Sequence, residues 1–307
     1  MTRYRTLICL GIFLLGLPGC TGIMKRITLS SSRTLIADSI AVINSESDLT
    51  IAEAAITGNL ELLTLLVQHF PRDRDLLVQA AQAFGGYAFA FVEEEMEQKR
   101  GVDETQARWQ QERAKRLYLR ARDYGWRALR LIDPSFPPIP QASLEQLQAA
   151  VAGLDKEAVP ALFWTAYAWA NWINLERSSL AALAQLPKAE VMMRRVLALD
   201  DGYFHAGPHL FFAIYYGGRS RQLGGDPERA RFHFERALEL TRGRYLLVHV
   251  FYARFYAVQV QDRSLYVQLL QTVLEAPDDL DPRQRLANQL AKQRARRYLQ
   301  KVDELFG

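Results

Sequence analysis

Four of the five histidines, His205, His209, His233 and His249, fall in one stretch of the chain. His205 and His209 stand four apart, a spacing that puts two imidazoles on one helix face and that zinc hydrolases use. Those enzymes also need a glutamate directly after the first histidine as general base, and Ala206 stands there instead. Pro208 sets both residues near a helix start, so packing and capping roles compete with a metal site built from the four. The sequence holds no glycine-rich phosphate loop and no G-x-S-x-G nucleophile elbow. The reading is of a non-enzyme without a cofactor, with a histidine-metal enzyme as an alternative.

A second set of residues suits binding. Leu162 to Leu175 reads LFWTAYAWANWINL, with Trp164, Trp169 and Trp172 spread around a helix. Tyr167, Asn171 and Asn174 fall at i, i+4 and i+7, one strip of hydroxyl and amide groups in an aromatic surround. Small-molecule pockets have that character, mostly apolar with a few orienting polar groups. Trp164, Tyr167, Asn171, Trp172 and Asn174 are therefore candidate cleft residues, joined by Tyr215 from the run HAGPHLFFAIYYGG. The competing reading has these polar groups satisfied by neighbouring turns or facing solvent.

The N-terminus carries chemistry of another kind. Arg3 and Arg5 precede the apolar run LICLGIFLLGLP, then Gly19 and Cys20. A basic segment followed by an apolar stretch of this length is a secretory signal. Leu17-Pro18-Gly19-Cys20 is similar to the bacterial lipobox, where the cysteine after the cleavage site is lipidated. The expected organisation is a lipoprotein signal peptide over 1–19, a lipidated tether over 20–33 and one all-α domain over 34–307. Cys20 would anchor the chain to a membrane, and Thr21 after it, in place of Asp, favours the outer one. Ordinary signal cleavage with Cys20 as an incidental thiol is the alternative. Cys9 would leave with the signal and Cys20 would be occupied, which excludes an intrachain disulfide. Loss of Arg3 and Arg5 would bring the net charge from +4 to +2, no footprint for nucleic acid.

The elements that must position these residues are helices. Segments rich in Ala, Leu, Gln, Glu and Arg alternate with turns at Gly58-Asn59, Asp133-Pro134, Gly224-Gly225-Asp226-Pro227 and Gly243. Ser143 with Gln146 forms a capping-box pattern, and Asp226 with Pro227 places an N-cap before a proline at the first helical position. Arg127–Leu131, Arg195–Leu199 and Arg236–Leu240 close three helices alike. Ala128 and Val196 lie 68 residues apart, twice the 34-residue tetratricopeptide period. Ala230-x3-Phe234-x2-Ala237 fits the second helix of such a repeat, whereas the other copies put Gly125 and Met193 where Phe is expected. The expected fold is all-α, with degenerate tetratricopeptide-like hairpins stacked into a solenoid-like bundle. A last helix, 282–306, carries Arg283, Arg285, Lys292, Arg294, Arg296, Arg297 and Lys301, and reads as a solvated basic face or a membrane- or partner-resting one.

GPHLFFAIYYGG, LGGDPERARFHFERALEL and RYLLVHVFYARFYA, all within 202–277, resemble the T-component lipoproteins of tripartite ATP-independent periplasmic (TRAP) transporters. The resemblance implies a lipid-anchored periplasmic protein of cryptic tetratricopeptide-like helices, assembled as a homotrimer. It implies a partner, the periplasmic solute-binding protein of a TRAP transporter, and a cleft or pore for an apolar or organic-acid ligand. A general outer-membrane scaffold lipoprotein for envelope assembly would share the anchor and helices without the ligand.

Overall fold

The computed structural model describes residues 34–36, 38–139 and 141–307, so the signal peptide, Cys20 and the tether lie outside the described residues. The described residues are helical, with no strand among them. The compact unit Ile40–Gly307 holds the elements that follow.

α1 (Leu49–His69) begins where the Asp48 carboxylate accepts from the amides of Thr50 and Ile51. It is long and apolar enough by composition to cross a membrane, but it buries Ala52, Leu60, Leu63 and Val67 and packs along α2 (Arg74–Tyr87). α2 runs through a π-helical turn (Ala88–Val92) into α3 (Glu93–Lys99). The long α4 (Glu104–Ile132) is followed by α5 (Leu144–Ala152), α6 (Val159–Leu175) and α7 (Leu186–Leu199). α8 (Tyr203–Gly217) pairs with α9 (Pro227–Thr241). α10 (Leu247–Phe251) continues into a second π-helical turn (Tyr252–Ala257), and α11 (Arg263–Glu275) and α12 (Arg285–Leu299) complete the set.

The expected start signals are present. Ser143 and Gln146 make both hydrogen bonds of the capping box, and Asp226 caps α9 ahead of Pro227. The three helices aligned in sequence also bury one register: Ala121, Gly125 and Ala128 in α4, Ala189, Met193 and Val196 in α7, Ala230, Phe234 and Ala237 in α9. Gly125 departs from the aromatic pattern for a steric reason. A Cβ there would come 2.2 Å from the Thr165 hydroxyl, so the missing side chain is what lets α6 lie close on α4.

One sequence reading changes. The basic last helix is not a solvated face: Lys292 and Arg294 are buried, and Arg294 and Arg297 turn inward to carboxylates of α3. It is also not continuous, since 3₁₀ geometry holds Pro282–Gln284 and a turn at Gln300–Lys301 separates α12 from Val302–Phe306. The double glycine after LFFAIYY serves two ends at once. α8 stops at Gly217, whose absent Cβ would stand 2.8 Å from the Phe255 carbonyl oxygen and 3.4 Å from Ala230 Cβ.

Candidate functional site

α6 is the most enclosed helix near the candidate residues. Its buried positions include Leu162, Phe163, Trp164, Thr165, Ala166, Ala168 and Trp169. Tyr167, Ala170, Asn171 and Asn174 stay partly or fully accessible and fall on one strip, which Arg177 extends just past the helix end. Asn171 Nδ2 donates to the Tyr167 carbonyl at 2.9 Å, and Asn174 Oδ1 accepts from Arg177 Nε at 2.8 Å. The other candidates sit elsewhere. Trp164 is buried behind the strip, edge-on to Phe204 at 4.6 Å and to Tyr167 at 5.3 Å. Trp172 is partly exposed on another side of α6. Tyr215 lies on α8, donating to Glu190 at 2.7 Å with the Arg219 guanidinium 3.6 Å above its ring, and is not brought to the strip.

Against Tyr167 packs the α2–α3 run, with Gly85 close to the Tyr167 ring, where a Cβ would make ordinary contact at 3.4 Å, and Glu93 further along. The Tyr118 hydroxyl of α4 donates to Glu93, and the rings of Tyr118 and Tyr167 are 6.3 Å apart. Burial pushes the Glu93 carboxyl up to about 7, with the Tyr118 bond and the Arg294 charge opposing only in part. Burial likewise raises the Tyr118 and Tyr167 phenols, the Glu93 charge adding to both. All three side chains thus hold their protons to higher pH than usual. Glu93 and Tyr167 still keep partial solvent access.

The end of α10, the second π-helical turn and α12 pack against the α2–α3 run. Phe251 meets Phe89 at 5.9 Å, and the Arg294 guanidinium lies 4.1 Å over the Phe89 ring. A π turn displaces backbone carbonyls from their usual partners. Arg294 Nη2 donates to one of them, Phe89 O, at 2.9 Å. Arg254 projects from the second turn, 3.7 Å from Glu97 and 41% exposed. Arg177 senses this space electrostatically: burial, then the charges of Arg254 and Arg100, lower its pKa, with Glu93 as the opposing charge.

A surface pocket of about 360 Å³ is lined by His205, Arg242, Arg244, Tyr245 and Arg283 among others. Its inner edge is His205 stacked on Tyr245 at 4.7 Å. Phe204, His205 and Ala206 all have positive φ (44°, 58° and 59°), three left-handed residues in a row that L side chains adopt at a cost. Gly207 follows because a Cβ there would come 2.5 Å from the Phe163 ring of α6.

The histidines do not converge as a metal set. His209 Nδ1 and His233 Nδ1 are 2.9 Å apart, a direct hydrogen bond, and His209 Nε2 lies 3.5 Å from Asp201. Burial lowers both pKa values, that of His233 to about 4, where the neighbouring His209 adds to the effect. His205 is committed to Tyr245, and His249 is buried elsewhere in α10. Among the described residues, no group of three or more His, Cys, Asp or Glu is placed to hold a metal ion.

Sequence reading missed Glu93, Tyr118, Arg177 and Arg254. They come from four separate elements, and the only signal available was the recurrence of aromatic and arginine residues along helix faces. The comparison with known families is decided by one match. The model of the family described as TRAP transporter T-component matches residues 45–306. The chain belongs to that family. An uncharacterized protein of Treponema pallidum (strain Nichols) is 23% identical over 304 residues, covering 94% of this chain and 93% of the relative. T-components are parts of a transporter and not an enzyme family. Within this T-component the partly accessible strip of Tyr167, Asn171 and Asn174, with Glu93 and Tyr118 beside its aromatic end, is the candidate binding site.

Proposed function

We propose that this T-component is a lipid-anchored periplasmic accessory subunit that works with the solute-binding protein of a TRAP transporter and holds or passes an organic solute. Family membership over residues 45–306 carries the reading. The strip of Tyr167, Asn171 and Asn174, with the Phe163 and Trp164 rings against Tyr167, supports the solute-holding part, since few polar groups on an apolar surround orient a ligand without binding water too strongly. Anchoring through Cys20, with the outer membrane as its site, belongs to the same proposal. So does the stacking of tetratricopeptide-like hairpins, which the shared buried register of α4, α7 and α9 supports. Assembly as a homotrimer is proposed as well. The exposed apolar residues Ile51, Leu62 and Leu65 of α1 form a surface that such an assembly would cover.

The test is affinity purification of the tagged full chain from its own cells under mild conditions, with mass spectrometry of partners and retained small molecules. The expected result is recovery of a solute-binding protein of the TRAP type. Recovery of envelope-assembly machinery without any such protein would overturn this reading in favour of a general scaffold.

A further inference from the structure

Two surface cavities formed by the described residues differ in charge. One of about 480 Å³, beside Asp133, Ser135 and Gln146, has no cationic side chain in its lining. The other, of about 360 Å³, brings Arg242 and Arg244 from the end of α9 together with Arg283, just ahead of α12. Asp281 is the one acid that lines it, so two of its positive charges go unanswered.

The cationic cavity is built at a backbone cost. Of the five non-glycine residues with positive φ among the described residues, four line it or adjoin it: Phe204, His205 and Ala206 in a row, and Arg242 at φ 52°. Arg242 holds the left-handed position that ends α9, a position that glycine fills without strain. An arginine kept there points to a use for its side chain. The backbone of this corner is already satisfied: the amides of Arg242, Gly243 and Arg244 donate to the carbonyls of Glu239, Leu238 and Thr241, and Asn288 donates to the Arg244 carbonyl at 3.1 Å. The guanidiniums are not. Among the described residues, neither Arg242 nor Arg244 makes a side-chain ion pair or hydrogen bond, while Arg283 meets Asp281 at 3.4 Å. His205, stacked on Tyr245 at 4.7 Å, and Leu240 supply the apolar part of the lining.

We propose that this corner is a phosphomonoester site, with Arg242, Arg244 and Arg283 around the phosphoryl group and a small organic group against the His205–Tyr245 stack. Guanidinium forks match phosphate oxygens in pairs. A phosphomonoester carries close to two negative charges at neutral pH, which answers the surplus of the lining; a monocarboxylate would answer half of it. The cavity also falls in the range of small-molecule sites, about 300–1,000 Å³. The same headgroup occurs free and on phosphatidate lipids, and a surface site is open to both. None of the Tyr167 strip lines this cavity, so the site stands apart from the solute reading.

Calorimetric titration of the full-length protein with phenyl phosphate and with benzoate makes the test, in the wild type, Arg242→Gly and Arg244→Gln. Phenyl phosphate should bind the wild type roughly tenfold more tightly than benzoate, and each variant should lose roughly tenfold in affinity for it. Arg242→Gly should fold as well as the wild type, because glycine takes the left-handed backbone freely, so its loss of binding is not a loss of structure. Vesicles of phosphatidylcholine with and without phosphatidic acid separate the two sources, since any lipid anchor on the chain meets both alike. Added recruitment by phosphatidic acid that Arg244→Gln abolishes assigns a lipid headgroup; phenyl phosphate binding without it assigns a free ligand. Benzoate binding as tightly as phenyl phosphate, or affinities unchanged in both variants, overturns the site. So does a wild type that responds to neither phenyl phosphate nor phosphatidic acid. An Arg242→Gly protein that loses stability and keeps its binding would leave Arg242 as a charge that offsets the α9 dipole, and contradicts the proposal.

Discussion

Glu93 and Glu94 are adjacent on α3 and meet opposite surroundings. Glu94 faces α12, where Arg294 Nε holds it at 2.9 Å and Arg297 joins it; Glu97, on the same side, takes Arg297 at 2.6 Å. Burial works to raise the Glu94 carboxyl, but the Arg297 hydrogen bond and both arginine charges outweigh it and hold the group below its ordinary value. Glu97 is lowered in the same way, its burial outweighed by Arg254, Arg294 and Arg297. One residue earlier, Glu93 has burial without a paired arginine, and its carboxyl rises to about 7. The contrast separates a structural seam, where each carboxylate is answered by an arginine, from a buried carboxyl answered by a phenol alone. Natural folds tolerate the second arrangement where a ligand or proton completes it.

Breaking the seam should give the largest effect. Glu94→Gln leaves Arg294, only 5% exposed, with a neutral partner, so unfolding stability should fall by roughly 3–5 kcal/mol in a denaturant titration. A loss below about 1 kcal/mol would mean that the seam is not the structural charge pair described here.

Changing Glu93 should act in the other direction and depend on pH. The folded pKa of Glu93 lies above its ordinary 4.5, so the native state holds this proton more tightly than the unfolded chain. Stability is then penalised as pH rises from about 4.5 to about 7, and the penalty is full above that. Glu93→Gln should match the wild type near pH 4 and gain up to about 3 kcal/mol over it by pH 8. A pH-independent difference between the two would place Glu93 with Glu94 and erase the contrast.

The smallest stability effect should come from Arg177→Gln. Its charge has no carboxylate partner among the described residues, so removing it should shift the unfolding midpoint by no more than about 0.5 kcal/mol in equivalent stability. A substantial destabilisation would show that Arg177 helps to hold the fold together.

What could be read from sequence followed the range of the signal. Period, caps and turn residues act within a few positions, and they gave the helices, the capping box at Ser143 and the start of α9. The strip Tyr167–Asn171–Asn174 was legible for the same reason, as spacing along one helix. Tyr215 was grouped with it on composition alone, and tertiary packing sends it to Glu190 instead. Arg294 and Lys292 read as solvated because their own helix cannot announce the carboxylates of α3 or of Asp278 that meet them. The three-residue left-handed turn at Phe204–Ala206 had only Gly207-Pro208 as a marker, and neither residue requires left-handed neighbours. Glu93 stood inside a Glu-Glu-Glu run that resembles any exposed helix start, and only its meeting with Tyr118 distinguishes it.

The most direct test of the contrast is a carbon-detected NMR titration of the glutamate carboxyls, with Glu93→Gln and Glu94→Gln used for assignment. The Glu93 signal should titrate near pH 7, and those of Glu94 and Glu97 should move only below the ordinary carboxylate range. A Glu93 signal that titrates with its two neighbours would contradict the account, because the three carboxyls would then share one environment.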